Sequence, residues 1–289
     1  MVYTLHAGGQ ALLDWHLHPD VIALCVGLLL CYWYAVQVWR PHTRDAGGVK
    51  QSQVIFFSLG VAAIYLAAGS PIHDISEQHL LSMHMVQHML FALVAPPLLL
   101  AGIPTWLYEA LLTGRRVLPV ARVVLNPLVA ILAINMTLVI THLPHVVDYA
   151  LYHHWFHFLV HATIVSASLM MWWPIITKVP SLPQLNYPYQ MAYLFVQSLI
   201  PAVIGSFITF SSTPVYEFYE QAPRMWGIDP VQDQQIAAFV MKVIGSLILW
   251  GFIAVVFFKW YAREEAESPG VHFAEVEGEL REIGLNPNR

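Results

Sequence analysis

Charge is scarce in this chain: charged residues make up 11% of its 289 positions, against about 25% in an ordinary soluble domain. A soluble fold of this length would lack the charged surface it needs, so lipid is the expected solvent. The first 19 residues contain no Lys or Arg, and no apolar run precedes a small-residue cleavage site. The first apolar segment is therefore expected to persist as a membrane span rather than as a cleaved leader. Cysteine is almost absent. Cys25 and Cys31, six residues apart, do not share a helical face and form no CxxC pattern, which argues against a disulfide framework or a thiolate metal site. No basic stretch is present, so a nucleic-acid partner is not expected. No internal repeat or second folded domain is evident.

Hydrophobic residues, in contrast, make up 57% of the chain. A membrane-crossing helix needs about 20 mainly apolar residues. Seven such segments are expected, near 20–39, 53–70, 79–101, 126–143, 154–174, 190–210 and 235–260. The separators Arg40-Pro41, Ser70-Pro71, Gly114-Arg115-Arg116, Leu143-Pro144, 179–183 and 211–234 read as loops. Pro96-Pro97 should kink or end the third span, because proline removes a backbone donor and crowds the preceding turn. Trp33, Tyr34, Trp172, Trp173, Trp250 and Trp260 are expected as interface anchors.

Lys and Arg then orient the bundle. Arg40, Arg44 and Lys50 follow span one, and Arg115, Arg116 and Arg122 follow span three. Lys178 follows span five, and Lys259 and Arg263 follow span seven. These alternate loops share one side, expected to be cytoplasmic, while the opposite side carries only Arg224. The expectation is an all-α seven-transmembrane-helix bundle with the N-terminus outside and the C-terminus cytoplasmic. It divides into an outer N-terminal segment (1–19), a membrane domain (20–262) and an acidic cytoplasmic tail (263–289), expected to be mobile with at most a short helix.

With that orientation, most of the fifteen histidines fall on the outer side. His6, His16, His18, His73, His142, His145, His153 and His154 lie in outer loops or helix ends, and His42 and His272 are the cytoplasmic exceptions. His79, His84 and His88 enter span three from outside, and His157 and His161 enter span five. The pairs His84/His88 (HMVQH) and His157/His161 (HFLVH) each place two imidazoles one helical turn apart on one face. His88 and His161 each lie about eight residues past the helix entrance, or ~12 Å deep at ~1.5 Å per residue. Two pairs at matched depth can share one centre if the helices touch, and polar groups at that depth tend to mark function. Histidines that merely hydrogen-bond between helices are the bland alternative.

Imidazole suits copper, zinc, iron and nickel. Position 85 is methionine, so the HExxH zinc-protease pattern fails. Met83, Met85 and Met89 could favour Cu(I), although methionine is more often packing. A b-type haem with one histidine from each helix stays open. Spans three and five lack glutamate within the membrane, which disfavours di-iron or carboxylate-rich zinc sites. Asp233 opens span seven and is expected to cap that helix, with an alternative role as an oxygen ligand or as a partner that orients an imidazole. Lys242 lies about one-third into span seven without an obvious partner.

The segment MHMVQHMLFALVAPPLLLAGIP (83–104) resembles the signature of the polytopic CtaG family, the assembly factors of caa-type cytochrome c oxidases. Trp226 through Asp233-Gln234-Gln235-Ile236-Ala237 is similar to the family's pattern at the last span. The resemblance covers roughly 15–262. It implies a multi-pass protein of the bacterial inner membrane that matures a haem–copper oxidase, by copper delivery or insertion, without turnover chemistry. It carries His84, His88 and Asp233 over by motif, and His157 and His161 more loosely. The expected metal set is His84, His88, His157, His161, His142 and Asp233, with His73, His79, His145 and His153 as an outer rim. Copper is the expected ion, with haem b or zinc as alternatives. Membrane lipid and oxidase subunits are the expected partners, and a homo-oligomer stays open. In the last span, Met241-Lys242-Val243-Ile244-Gly245 departs from the Pro-Gly pair the family pattern has there.

Overall fold

The computed structural model describes residues 16–39, 47–267, 280, 282 and 283. His6, Arg40, Arg44, His42, His272 and most of the N-terminal segment and acidic tail lie outside the described residues.

Among the described residues, six helices are long and apolar enough to cross a membrane, and seven if one bent pair counts as a single span. No strand occurs among the described residues. The chain is a multi-pass helical membrane protein. Large apolar side chains such as Leu128, Trp155, Phe207 and Phe210 point outward and are more than two-thirds exposed. Such a surface is stable against lipid, where helices satisfy their own backbone polar groups.

The spans are α1 (Pro19–Tyr34, continued by a π-helical turn Ala35–Trp39), α2 (Gln51–Ala68) with α3 (Pro71–Gln78), and α4 (Leu81–Met89) with α5 (Ala95–Gly102). A short α6 (Thr105–Leu112) follows. Then come α7 (Leu118–Val124) and α8 (Pro127–Thr141), the pair bent by 56°. At 15 residues, α8 alone is ~22 Å long, so it spans only with help from α7. After α9 (Pro144–Tyr152) come α10 (His154–Ile176), α11 (Tyr187–Phe210) and the short α12 (Glu217–Gln221). The last span is α13 (Pro230–Phe239), a π-helical turn Val240–Ile244, and α14 (Gly245–Glu267).

Several expected loops are helices, for one recurrent reason. Ser70-Pro71 starts α3: the Ser70 hydroxyl accepts a hydrogen bond from Ile72 N at 3.2 Å, and Pro71 occupies the first turn, where no donor is needed. Asn126-Pro127 and Asp229-Pro230 open α8 and α13 the same way. Leu143-Pro144 likewise begins a helix, α9, rather than a loop.

Pro96-Pro97 does not end the third span. A wide turn over Leu90–Val94 precedes the pair, and α5 runs on to Gly102. The two prolines remove both the α-type and the π-type donors for the Ala92 carbonyl, and Trp172 Nε1 donates to that oxygen instead, at 2.9 Å. Trp172 and Trp173 are thus core residues, not interface anchors; the freed carbonyl explains the first. Of the other expected anchors, Trp33, Tyr34 and Trp250 are exposed and Trp260 is half-buried.

The core is a bundle in which α5 packs on α2 and α10, α14 on α11, α8 on α10, and α13 on α4 and α11; α1 packs on α2. The α2–α5 approach is close enough to need glycine. A Cβ on Gly102 would collide with the Phe57 backbone, and one on Gly60 would come within 2.8 Å of Leu99, the small-residue packing that membrane helices use. Tyr32 of α1 stacks on Phe57 at 4.1 Å and donates to Gly102 O at 3.0 Å. Despite its departure from the family pattern, the last span packs closely: Met241 is buried, and Gly245 lies against Met89. Lys242 is half-buried, its Cβ close to Gly205 of α11.

Candidate metal centre

Four helix ends converge at one end of the bundle: the starts of α4 and α10, the end of α8, and α3. His84 and His88 project from α4, and His157 and His161 from α10. The His84 ring centroid lies 4.2 Å from that of His88, 5.5 Å from His157 and 6.1 Å from His161. His88 is 5.3 Å from His161, and His157 is 4.2 Å from His161. The two pairs therefore meet, as matched depth requires.

One ring nitrogen from each of His84, His88 and His161 lies within 4.8 Å of the others. Two nitrogens on one ion, each at ~2.0–2.1 Å, sit at most about 4.1 Å apart. Three nitrogens sharing one ion at that bond length sit about 3.5 Å apart, so these imidazoles need to draw together by at most about 1.3 Å to share one. Their polar atoms are buried and unsatisfied. His84 Nδ1, both nitrogens of His88, His157 Nε2 and His161 Nε2 have no hydrogen-bond partner. Buried polar groups are nearly always paired, so five orphan imidazole nitrogens at one point fit a bound cation.

The surroundings set the tautomers. His157 Nδ1 lies 2.9 Å from Glu77 Oε1 and donates to it, which leaves Nε2 as the lone-pair nitrogen. His142, buried beside the cluster with its ring 5.7 Å from His88, donates Nδ1–H to Leu138 O at 2.8 Å. With Nδ1–H engaged at Leu138, Nε2 is the nitrogen left to offer a lone pair. Tyr219 lies 6.2 Å from His84, ring to ring, and donates to Ser76 O at 2.7 Å. Burial, with Glu77 and Asp233 nearby, pushes its hydroxyl well above the usual phenol range and keeps it a neutral donor.

Asp233 corrects an expectation. Asp229 caps α13, its Oδ1 accepting from Val231 N at 2.9 Å. Asp233 caps the neighbouring helix instead: Oδ2 accepts from Leu81 N at 2.7 Å and Oδ1 from Ser82 N at 3.1 Å. Both oxygens are engaged by the first amides of α4, where the helix dipole favours an anion. Asp233 therefore fixes the helix that carries His84 and His88, and it is not in the imidazole cluster. The expected rim is only partly assembled. His73 reaches Glu77 at 3.1 Å. His79 contacts Pro223 O at 3.1 Å, His153 stacks on Tyr149 at 3.9 Å, and His145 lines a separate surface groove with Asp148. None of these three joins the cluster.

Sequence reading missed Glu77 and Gln87. Glu77 sits in α3, which was expected to be loop; its signal is the i, i+4 spacing from His73 on a Ser-Pro-capped helix. Gln87 is fully buried, accepts from Ser76 Oγ at 3.1 Å and donates to Ala67 O at 2.9 Å, tying α4 to α2 and α3.

This geometry has a family context. A family model for the cytochrome c oxidase caa3 assembly factor (Caa3_CtaG) matches residues 31–263. The chain belongs to the CtaG family. Its matched region contains every residue of the imidazole cluster, together with Glu77 and Asp233. Uncharacterized proteins of Mycobacterium bovis and Mycobacterium tuberculosis are each 24% identical to it over 262 residues, covering 85% of this chain and 39% of theirs. The chain thus spans about two-fifths of the length of these relatives. No solved structure matches this CtaG chain.

Proposed function

We propose that this CtaG protein is a bacterial inner-membrane assembly factor that holds a copper ion as cargo and presents it to a haem–copper oxidase subunit. The observation that carries the reading is the group of orphan nitrogens on His84, His88, His157 and His161, buried at one end of a membrane bundle. By the excess of Lys and Arg at the opposite end, this end faces outward. His84, His88 and His161 would be ligands, with His157 as the fourth, oriented by Glu77. His142 would stand ready beneath His88. Asp233 acts as a positioning residue through α4.

Neutral imidazoles bind copper or zinc; family membership favours copper. Haem b is the weaker reading, because the His88 and His161 rings touch directly at 5.3 Å, edge to face, and a porphyrin would have to separate them. Met85 packs in an apolar cluster with Tyr216, Tyr219 and Ala237, so it serves as core.

The test is metal analysis of the full chain purified in detergent, paired with oxidase maturation in cells. The reading expects bound copper that is lost in His84→Ala/His88→Ala, together with loss of mature oxidase. Normal oxidase maturation in that variant, with no transition metal bound by the wild type, would overturn it.

A further inference from the structure

A second group of imidazoles reaches the same end of the bundle from the start of α1. His16 Nδ1 lies 3.1 Å from Asp74 Oδ2, and His18 Nε2 lies 3.4 Å from Oδ1 of the same carboxylate. The His18 ring meets the His73 ring edge-on at 4.8 Å. His73 Nδ1 is 3.1 Å from Glu77 Oε1, and that same oxygen is 2.9 Å from His157 Nδ1. An unbroken series of imidazoles and carboxylates thus runs from α1 to the buried cluster. Side-chain exposure is 70% at His16, between 16% and 22% at His18, Asp74, His73 and Glu77, and 4% at His157. At its inner end, the partnerless His157 Nε2 belongs to a ring 5.5 Å from His84.

Helix capping alone does not call for this arrangement. Ser70 already caps α3, and Asp74 lies a turn further on. Two imidazoles from another segment converge on its carboxylate, with a third alongside. Mixed imidazole and carboxylate donors at a half-exposed position suit a borderline divalent transition-metal ion. A series of closely spaced donors also meets the main obstacle to moving an ion inward. A bare cation in a low-dielectric interior is prohibitively costly, whereas an ion that exchanges one donor at a time is never bare.

We propose that His16, His18, His73 and Asp74 form a second, solvent-facing site for a divalent transition-metal ion, and that this site loads the buried imidazoles by way of Glu77 and His157. The loading half rests on the copper-cargo reading above; the existence of the outer site does not.

The experiment titrates the detergent-purified full chain with zinc(II) against a chromophoric chelator, following both capacity and rate. Wild type is compared with His16→Ala/His18→Ala, Asp74→Asn and His84→Ala/His88→Ala. The wild type is expected to hold one zinc more than His84→Ala/His88→Ala, which keeps the outer ion. The His16→Ala/His18→Ala and Asp74→Asn variants should lose the outer ion and fill the buried site about ten-fold more slowly, the local-concentration effect of a charged mouth. If His84→Ala/His88→Ala binds as much as wild type while His16→Ala/His18→Ala binds none, the outer site stands and the buried-cargo reading falls. Wild-type capacity and rate in both outer-site variants would overturn the proposal.

Discussion

Glu77 Oε1 lies 2.9 Å from His157 Nδ1, and the far nitrogen of that ring has no hydrogen-bond partner. A carboxylate in this position fixes the tautomer, aims the ring and raises its basicity toward a metal. Replacing Glu77 with Gln keeps the shape and removes the charge. Glu77→Gln is expected to weaken metal binding by about 10–100-fold with unchanged capacity at saturation, read by competition titration. An unchanged affinity would show that Glu77 does not act on the site.

Asp233 makes the opposite prediction. Its two oxygens hold the first amides of α4, so Asp233→Ala should cost about 1–3 kcal/mol, the desolvation penalty of buried donors left unpaired. Thermal unfolding in detergent should show the loss, while folded molecules keep their full metal capacity. Loss of metal without loss of stability would make Asp233 a ligand after all.

Trp172→Phe removes the indole donor from the Ala92 carbonyl, which the Pro96-Pro97 pair leaves without its α- and π-type partners. A cost of about 1–3 kcal/mol is expected, again with metal capacity intact. Trp250→Phe offers the contrast: it should be close to neutral, since that side chain faces outward.

The contact between α2 and α5 can be probed at a single atom. Gly102→Ala drives a Cβ into the Phe57 backbone, and overpacking of this kind costs about 1–3 kcal/mol. Gly251→Ala meets nothing within 4 Å and should be neutral or mildly stabilising, because alanine is the better helix former. Comparable melting of the two variants would mean that α2 and α5 are less tightly apposed.

The histidine pairs and the spans were legible because both are periodic: an HxxxH pair and a twenty-residue apolar run each declare themselves within one segment. What escaped reading depends on a partner far away in sequence. Glu77 matters because α3 folds over the start of α10, 80 residues on. Asp233 looked like a cap for its own helix, and it caps α4 instead because α13 packs there, leaving Asp229 the local role. Trp172 was mistaken for an anchor because its acceptor is created by prolines on another helix. His145 and His153 share the histidine-rich side with the cluster, yet their helix faces turn them elsewhere. Spacing along the chain shows which histidines share an end of the bundle, but not which way each one faces.

The most direct test of the central claim is X-ray absorption of the full chain loaded with less than one equivalent of copper. The account predicts a first coordination shell of nitrogen alone, with the outer-shell scattering of imidazole, and its loss in His84→Ala/His88→Ala. A shell dominated by sulfur, a haem spectrum, or an unchanged signal in that variant would contradict it.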